Sequence, residues 1–329
     1  MNFSDLMSMA SGHAEARIVQ TAVELGIFDA LEASPLGAEA IATSRELHPQ
    51  AAELLLNALT SLQLLNKQSD IFSLAAISKR YLLVSSPNYV GEMIRFDSSL
   101  WNCWEKLPDA IRSGKPVRPP NMYQDDANET EIFIKAMDSL VNARGDADLM
   151  ANTLNWETVS ELLDVGSGPA TYPIALCRRF PNLRAAIIDL PATLNITQRF
   201  VREAGMEERI RLIPGDYRKD AIPGDYDLIF LSNIIHGEDY DNNRSLIRKL
   251  ANHLKPSGRM IVKDHILDDS RANPAVGAIF SLLMLLTTDG GRCYSFNEVR
   301  AWMEGAGLSQ VERIELPFPL TSWLVIGTK

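Results

Sequence analysis

The sequence predicts an α/β protein in which a doubly wound, mostly parallel sheet follows a smaller helical module. Three observations predict it. From Trp156 onward, strand-like and helix-like segments alternate, the pattern of a parallel sheet covered by helices on both faces. The apolar stretch Glu161–Val165 runs into Gly166-Ser167-Gly168 and then into a helical stretch. The first 98 residues carry helical periodicity without that alternation. The expected domains are therefore residues 1–98 and residues 99–329, the second including linker helices.

Taken in order, residues 13–33 read as one amphipathic helix, with Ile18, Ala22, Leu25 and Leu31 at helical spacing and a bend at Gly26. Residues 39–44 form a short helix. Pro49 suits the first turn of a second one, expected over 49–66 with Leu55, Leu56, Leu59 and Leu62 inward. Residues 71–74 read as a strand of a small wing, so the module is winged-helix-like. Phe96, Trp101 and Trp104 pack a domain junction or wall an aromatic pocket. Residues 114–123, with Pro116, Pro119 and Pro120, form a loop, and 129–152 return to helix.

Strands are then expected at 161–165, 184–189, 209–213, 226–231, 259–266, 309–315 and 321–327. The helices between them are expected at 170–180, 191–204, 241–254, 274–287 and 296–306. The last two strands are joined only by 316–320. A parallel crossover needs a dozen or more residues, so the last strand should be antiparallel.

The glycine turn is the organising feature. Gly166 and Gly168 let the backbone turn sharply and approach a ligand without a Cβ in the way. Asp189 ends the next apolar strand, where a carboxylate can take a ribose diol through two hydrogen bonds. The dinucleotide fingerprint asks for a third glycine where this chain has Thr171, and Asp164 beside the loop would repel a pyrophosphate. Both features oppose an NAD oxidoreductase and favour a ligand with a positive centre and no phosphate, such as S-adenosylmethionine.

Leu163-Asp164-Val165-Gly166-Ser167-Gly168, Ile188-Asp189-Leu190-Pro191, Gly215-Asp216-Tyr217 and Ser232-Asn233-Ile234-Ile235-His236 follow one another in this chain. In that order and spacing they resemble the S-adenosylmethionine-dependent O-methyltransferases of the plant caffeate and hydroxyindole type and their bacterial relatives in secondary metabolism. The resemblance covers nearly the whole chain, because residues 25–31 also look like that family's dimerisation helix. It implies a Rossmann-like methyltransferase sheet with a reversed last strand, an N-terminal dimerisation domain, and a methyl acceptor that is an aromatic or polyketide-like small molecule.

It also implies roles. Gly166 and Gly168 would lie under the methionine part of the cofactor, with Asp164 beside them. Asp189 would take the ribose hydroxyls with Leu190 next to it, Asp216 would accept from the adenine amino group, and Tyr217 would pack on the adenine ring. Ser232 falls where the family often has a cofactor-contacting Lys. His236 matches the general base, Asp264 the first of two carboxylates that flank it, and Cys293 the second. Phe133, Met137 and Met284 match acceptor-pocket positions. The physical reasons are independent of the family. A phenol, with a pKa near 10, is a poor nucleophile while neutral, and an imidazole can remove its proton as the methyl arrives. Transfer from a sulfonium is an in-line displacement, so positioning carries much of the acceleration.

Cys293 cannot orient an imidazole as a carboxylate does, which keeps a same-fold alternative open: N- or C-methylation, decarboxylation or hydroxylation. His265, next to Asp264 on the expected strand, should point to the opposite face. Glu238, Asp239 and Asp241 suit a helix N-terminus better than a metal site, and no metal is expected.

A net charge of −10 argues against nucleic acid. The candidate recognition helix 49–66 has no Lys or Arg, the opposite of what phosphate neutralisation needs. The longest apolar run, 275–286, falls short of the roughly 20 residues of a membrane span, and the first residues include Asp5 and lack a basic n-region, so no signal peptide is expected. Cys103, Cys177 and Cys293 show no paired spacing, which suits a reducing cytoplasm. A homodimer is expected.

Overall fold

The computed structural model describes residues 1–120, 124–317 and 320–329. It divides into two compact units, residues 1–101 with 135–143, and residues 102–134 with 144–329. Part of the predicted loop 114–123 and of the connection 316–320 lies outside the described residues, at 121–123 and 318–319.

In the first unit the opening helix is Phe3–Glu24, longer than periodicity predicted. Residues 3–11 are exposed, so no buried stripe announces that part of the helix. Asn2 caps it: its side chain accepts from the Asp5 N–H at 2.9 Å, and the Asp5 carboxylate accepts from the Asn2 N–H at 2.8 Å. The predicted bend is a break. Gly26 adopts φ +64°, a left-handed conformation that ends one helix and starts Ile27–Ala30. The helix at Pro49 stops at Ser61, short of 66. Leu65–Gln68 (β2) instead pairs with Ile71–Leu74 (β3), which also pairs with Leu36–Gly37 (β1). Ile27, Phe28, Ile41, Leu56, Leu59 and Phe72 close a core under this wing.

The second unit holds a seven-stranded sheet. Its strands are Glu161–Val165 (β4), Arg184–Asp189 (β5), Ile210–Pro214 (β6), Tyr226–Ser232 (β7), Leu254–Asp264 (β8), Ser309–Glu315 (β9) and Trp323–Thr328 (β10). Their order is β6-β5-β4-β7-β8-β10-β9. β10 runs antiparallel to both of its neighbours, so the last strand is the reversed one. The other pairings from β6 to β8 are parallel. β4 and β7 are central and read as continuous apolar runs because both faces are buried. The covering helices Thr171–Arg179, Pro191–Glu203, Tyr240–Ala251, Ala275–Thr287 and Phe296–Gly305 follow the predicted alternation.

Strand ends differ from expectation at several places: β8 starts at Leu254 rather than 259, and β10 spans Trp323–Thr328 rather than 321–327. β8 stops at Asp264, not 266. The Ile266 N–H donates back to the Asp264 carbonyl at 3.0 Å, closing a three-residue turn at His265. Strand alternation therefore does not extend to His265. No helix among the described residues is long and apolar enough to cross a membrane.

Candidate active site

The carboxyl edge of the sheet carries two groups of side chains. The first lies at the ends of β4 and β5. Gly166 (φ +66°), Gly168 (φ +60°) and Ala170 (φ +63°) are all left-handed, giving a tightly coiled loop before the helix at Thr171. A Cβ on Gly166 would lie 2.5 Å from Ile234 Cδ1 and 3.3 Å from Tyr217 Cε1, so only glycine lets these side chains pack against the turn. Asp189 grips the loop. Its Oδ2 accepts from the Gly168 N–H at 2.9 Å and its Oδ1 from the Leu190 N–H at 2.7 Å. The Thr193 side chain also hydrogen-bonds this carboxylate.

Asp164 ends β4 fully buried, with Ser167 Oγ donating to it at 2.6 Å. Burial raises its pKa to about 7 against that hydrogen bond, and the Asp189 charge adds to the rise. Burial likewise raises Asp189 to about 6. Two buried carboxylates that pair with no cation among the described residues fit a ligand that brings a ribose and a positive charge. The groups of this cradle therefore fit S-adenosylmethionine.

Tyr217 is buried against this cradle. Asp216 turns outward: its carboxylate pairs with Arg218 at 2.8 and 2.9 Å. Ser232, at the end of β7, accepts from Asn233 Nδ2 at 3.3 Å and stands opposite Lys263 in the β7–β8 register.

The second group lies at the ends of β7 and β8. Asn233 takes φ +57°, which a short polar side chain tolerates, and turns the chain into the 3₁₀ turn Ile235–Gly237. The buried Asn243 amide donates to the carbonyls of Ile235 (2.8 Å) and Glu238 (3.2 Å) and so fixes that turn. Gly291 packs where a Cβ would lie 2.5 Å from the His236 carbonyl oxygen. His236 Nδ1 is 2.8 Å from Asp264 Oδ1. Asp264 is fully buried, and burial opposes its ionisation. The charge and hydrogen bond of His236, with the His265 side chain and N–H, outweigh that and hold its pKa below the usual carboxylate value.

Cys293 is buried near this carboxylate. Burial, reinforced by the Asp264 charge, pushes its thiol up to about 12, so it stays protonated. Asp239 caps the helix Tyr240–Ala251 by accepting from the Asn242 N–H at 2.8 Å.

The sequence-derived pocket residues take different places. Met284 is buried on Ala275–Thr287, and Phe133 and Met137 lie one turn apart and half-buried on Ala127–Arg144. The ring against His236 is Phe280, edge-on at 4.9 Å between centroids, which sequence reasoning passed over. It also passed over Asn243 and the buried Lys263. Lys263 Nζ lies 3.2 Å from Asp146 Oδ2, and Asp146 takes Arg144 through both oxygens at 3.1 and 2.9 Å. A lysine in the apolar stretch Met260–Val262 before Asp264 was the available signal, since a buried ammonium requires a partner. Nothing comparable marks Phe280 or Asn243.

The O-methyltransferase domain family matches residues 104–309, and the O-methyltransferase dimerisation domain matches residues 7–83. The chain belongs to the O-methyltransferase family. Among curated relatives of this O-methyltransferase is the tetracenomycin polyketide synthesis 8-O-methyltransferase of Streptomyces glaucescens, 30% identical over 99% of this chain and 96% of the relative. Another is the 3-hydroxy-5-methyl-1-naphthoate 3-O-methyltransferase of Streptomyces sahachiroi, 28% identical over 98% and 94%. Among solved structures, human N-acetylserotonin methyltransferase in complex with its methyl donor superposes with a TM-score of 0.90 at 23% identity, over 99% of this chain and 97% of that one. The last likeness shows the fold.

Proposed function

We propose that this O-methyltransferase moves a methyl group from S-adenosylmethionine to a hydroxyl of an aromatic or polyketide-like small molecule, with His236 as the general base. The observation that carries the mechanism is the 2.8 Å contact between His236 Nδ1 and the fully buried Asp264 carboxylate. A carboxylate can only accept there, so Nδ1 carries the proton and Nε2 presents a lone pair. Asp264 fixes that tautomer and stabilises the imidazolium that forms when Nε2 takes the acceptor's proton. The relatives named for polyketide and naphthoate hydroxyls support the acceptor class.

When bound, S-adenosylmethionine supplies a methyl group activated by a sulfonium. Gly166 and Gly168 offer it bare backbone, and Asp164 faces its positive part. Asp189, steadied by the Gly168 and Leu190 N–H groups, accepts from the ribose hydroxyls. Tyr217 packs on the adenine, and Asp216, whose Oδ1 already accepts from the Arg218 backbone N–H and Nε, offers Oδ2 to the adenine amino group. Ser232 offers its hydroxyl or carbonyl at the same edge. Met284 and Phe133 line the acceptor. One buried carboxylate on His236 suffices for an oriented base, which favours O-methylation over the same-fold alternatives that Cys293 kept open.

The test is His236→Ala across phenols of graded acidity. The expected loss in kcat is roughly 10²–10⁴-fold, smaller for more acidic phenols that ionise unaided. A near-parental, flat response makes His236 structural.

The protein works as a homodimer in the cytoplasm. The dimerisation-domain match and the exposed apolar residues of the first helix, Phe3, Leu6, Met7 and Met9, support the assembly; such a row invites an apolar partner face. Three unpaired cysteines suit a reducing compartment. Light scattering that finds a stable monomer at micromolar concentration overturns the dimer.

A further inference from the structure

His265 was expected to face away from the base. Because β8 ends at Asp264, the chain turns at His265 and both imidazoles meet the same ring. His236 and His265 each lie 4.9 Å from Phe280, centroid to centroid, at interplanar angles of 83° and 54°. One carboxylate oxygen ties the two together: Asp264 Oδ1 accepts from His236 Nδ1 at 2.8 Å and from the His265 backbone N–H at 2.7 Å. On the other side His265 packs against Gly277, where a Cβ would come within 3.5 Å of its own Cβ. That glycine opens the helix Ala275–Thr287, which also carries Phe280.

The ring nitrogens of His265 are assigned by their neighbours. Nδ1 lies 3.0 Å from the carbonyl oxygen of Thr321. A carbonyl has no proton to give, so Nδ1 carries the proton and donates it, and in the neutral ring Nε2 is an acceptor. Among the described residues Nε2 has no hydrogen-bond partner. Burial lowers the pKa of His265 against the Asp264 charge, which keeps the ring neutral at physiological pH and the Nε2 lone pair free. The same features separate His265 from a base. The proton on its Nδ1 faces a neutral carbonyl, where His236 has a carboxylate, so an imidazolium at 265 lacks the stabilisation that His236 receives.

We propose that His265 is a specificity-determining residue: its Nε2 accepts a hydrogen bond from a second hydroxyl on the arene whose first hydroxyl is methylated at His236. The acceptors are then di- or polyhydroxylated aromatics, with Phe280 in contact with both imidazoles. A site built to accept from a hydroxyl discriminates against the analogue that lacks it, because its own polar group is then left unpaired. The proposal rests on the reading of the site as an O-methyltransferase, and its test separates the two.

The probes are the isomeric dihydroxynaphthalenes and the two naphthols. Their kcat/KM values are measured with S-adenosylmethionine, and their Kd values by calorimetry in the presence of S-adenosylhomocysteine. The parent enzyme should prefer at least one diol over both naphthols. His265→Asn keeps a side-chain N–H for the Thr321 carbonyl and removes Nε2. It should lower the diol-to-naphthol ratio about tenfold, the value of one hydrogen bond, whatever happens to the absolute rates. His265→Gln, whose amide reaches the Nε2 position, should restore part of the ratio and stands in if the Asn variant fails to fold. No diol preference anywhere in the panel, or a ratio unchanged in the variants, overturns the proposal. Diols that bind more tightly than the naphthols but receive no methyl overturn the methyl-transfer reading and leave only the hydroxyl contact at His265 standing.

Discussion

Two pairs of strand ends on one sheet edge hold buried carboxylates, and they behave oppositely. At β4 and β5, Asp164 and Asp189 are raised to about 7 and about 6. At β8, Asp264 is as deeply buried and is lowered. Burial acts the same way on all three, because it penalises the charged form. The difference is the partner. Asp264 has the His236 imidazole and a backbone N–H within hydrogen-bond reach. Asp164 has one hydroxyl, and Asp189 two backbone N–H groups and the Thr193 side chain, all of them neutral. The β8 end supplies its own cation when His236 is protonated. The β4 and β5 ends are complete only when a positively charged ligand arrives. A sheet edge can therefore hold a finished proton-transfer pair beside an unfinished ligand cradle, and the directions of the shifts tell them apart.

Removing the partner on the finished side gives the largest effects after loss of His236 itself. Asp264→Asn keeps the shape of the side chain but presents no charge to the imidazolium. It should lower kcat by about 10²-fold or more, with cofactor affinity nearly unchanged. Cys293→Ser, which removes only a protonated thiol, should stay within about twofold. Steady-state kinetics on both variants decides whether the carboxylate alone holds the base. Comparable losses in the two would assign Cys293 a role that a neutral thiol does not explain.

On the unfinished side, Asp189→Ala should weaken S-adenosylmethionine binding by about 2 kcal/mol or more, since two ribose hydroxyls lose a charged acceptor. The choice of acceptor should not change. Calorimetry that finds equal affinity in mutant and parent would place the ribose elsewhere.

The smallest expected effect is a pH dependence. Asp164 and Asp189 have raised pKa values in the folded protein. Their contribution to stability is therefore present below about pH 4 and is lost as pH rises through about 6 to 7. A cationic ligand favours the ionised forms, so its binding releases protons. Affinity for S-adenosylmethionine should tighten about tenfold from pH 5.5 to pH 8. The shift of Tm on adding the ligand should be larger at pH 8. Asp264 has the opposite sign: its stabilisation holds above the ordinary carboxylate range and is lost as pH falls through its depressed value. In Asp164→Asn the pH dependence of binding should flatten, and an unchanged slope would remove Asp164 from the cradle.

The chain by itself determined the sheet and its two working strand ends. Apolar runs such as Leu228–Leu231 are strands because both faces are buried. Glycines at 166 and 168 mark a turn that other residues strain to make, and the short link at 316–320 forces β10 to reverse. These are local properties, carried by spacing and residue type, so they are legible without coordinates. His236 and Asp264 were legible as candidates through family spacing, but their contact was not, since 28 residues separate them. Only the tertiary structure decided which side chains meet. It placed Phe280 on His236, Asn243 under the 3₁₀ turn, and Lys263 on Asp146. It also ended β8 at Asp264, so that His265 turned toward the ring it was expected to avoid. It extended the first helix to Phe3 without any buried stripe. The physical reason is the same in each case. Periodicity records which face of an element is buried, while pairing across elements depends on where each element stops and what packs against its end.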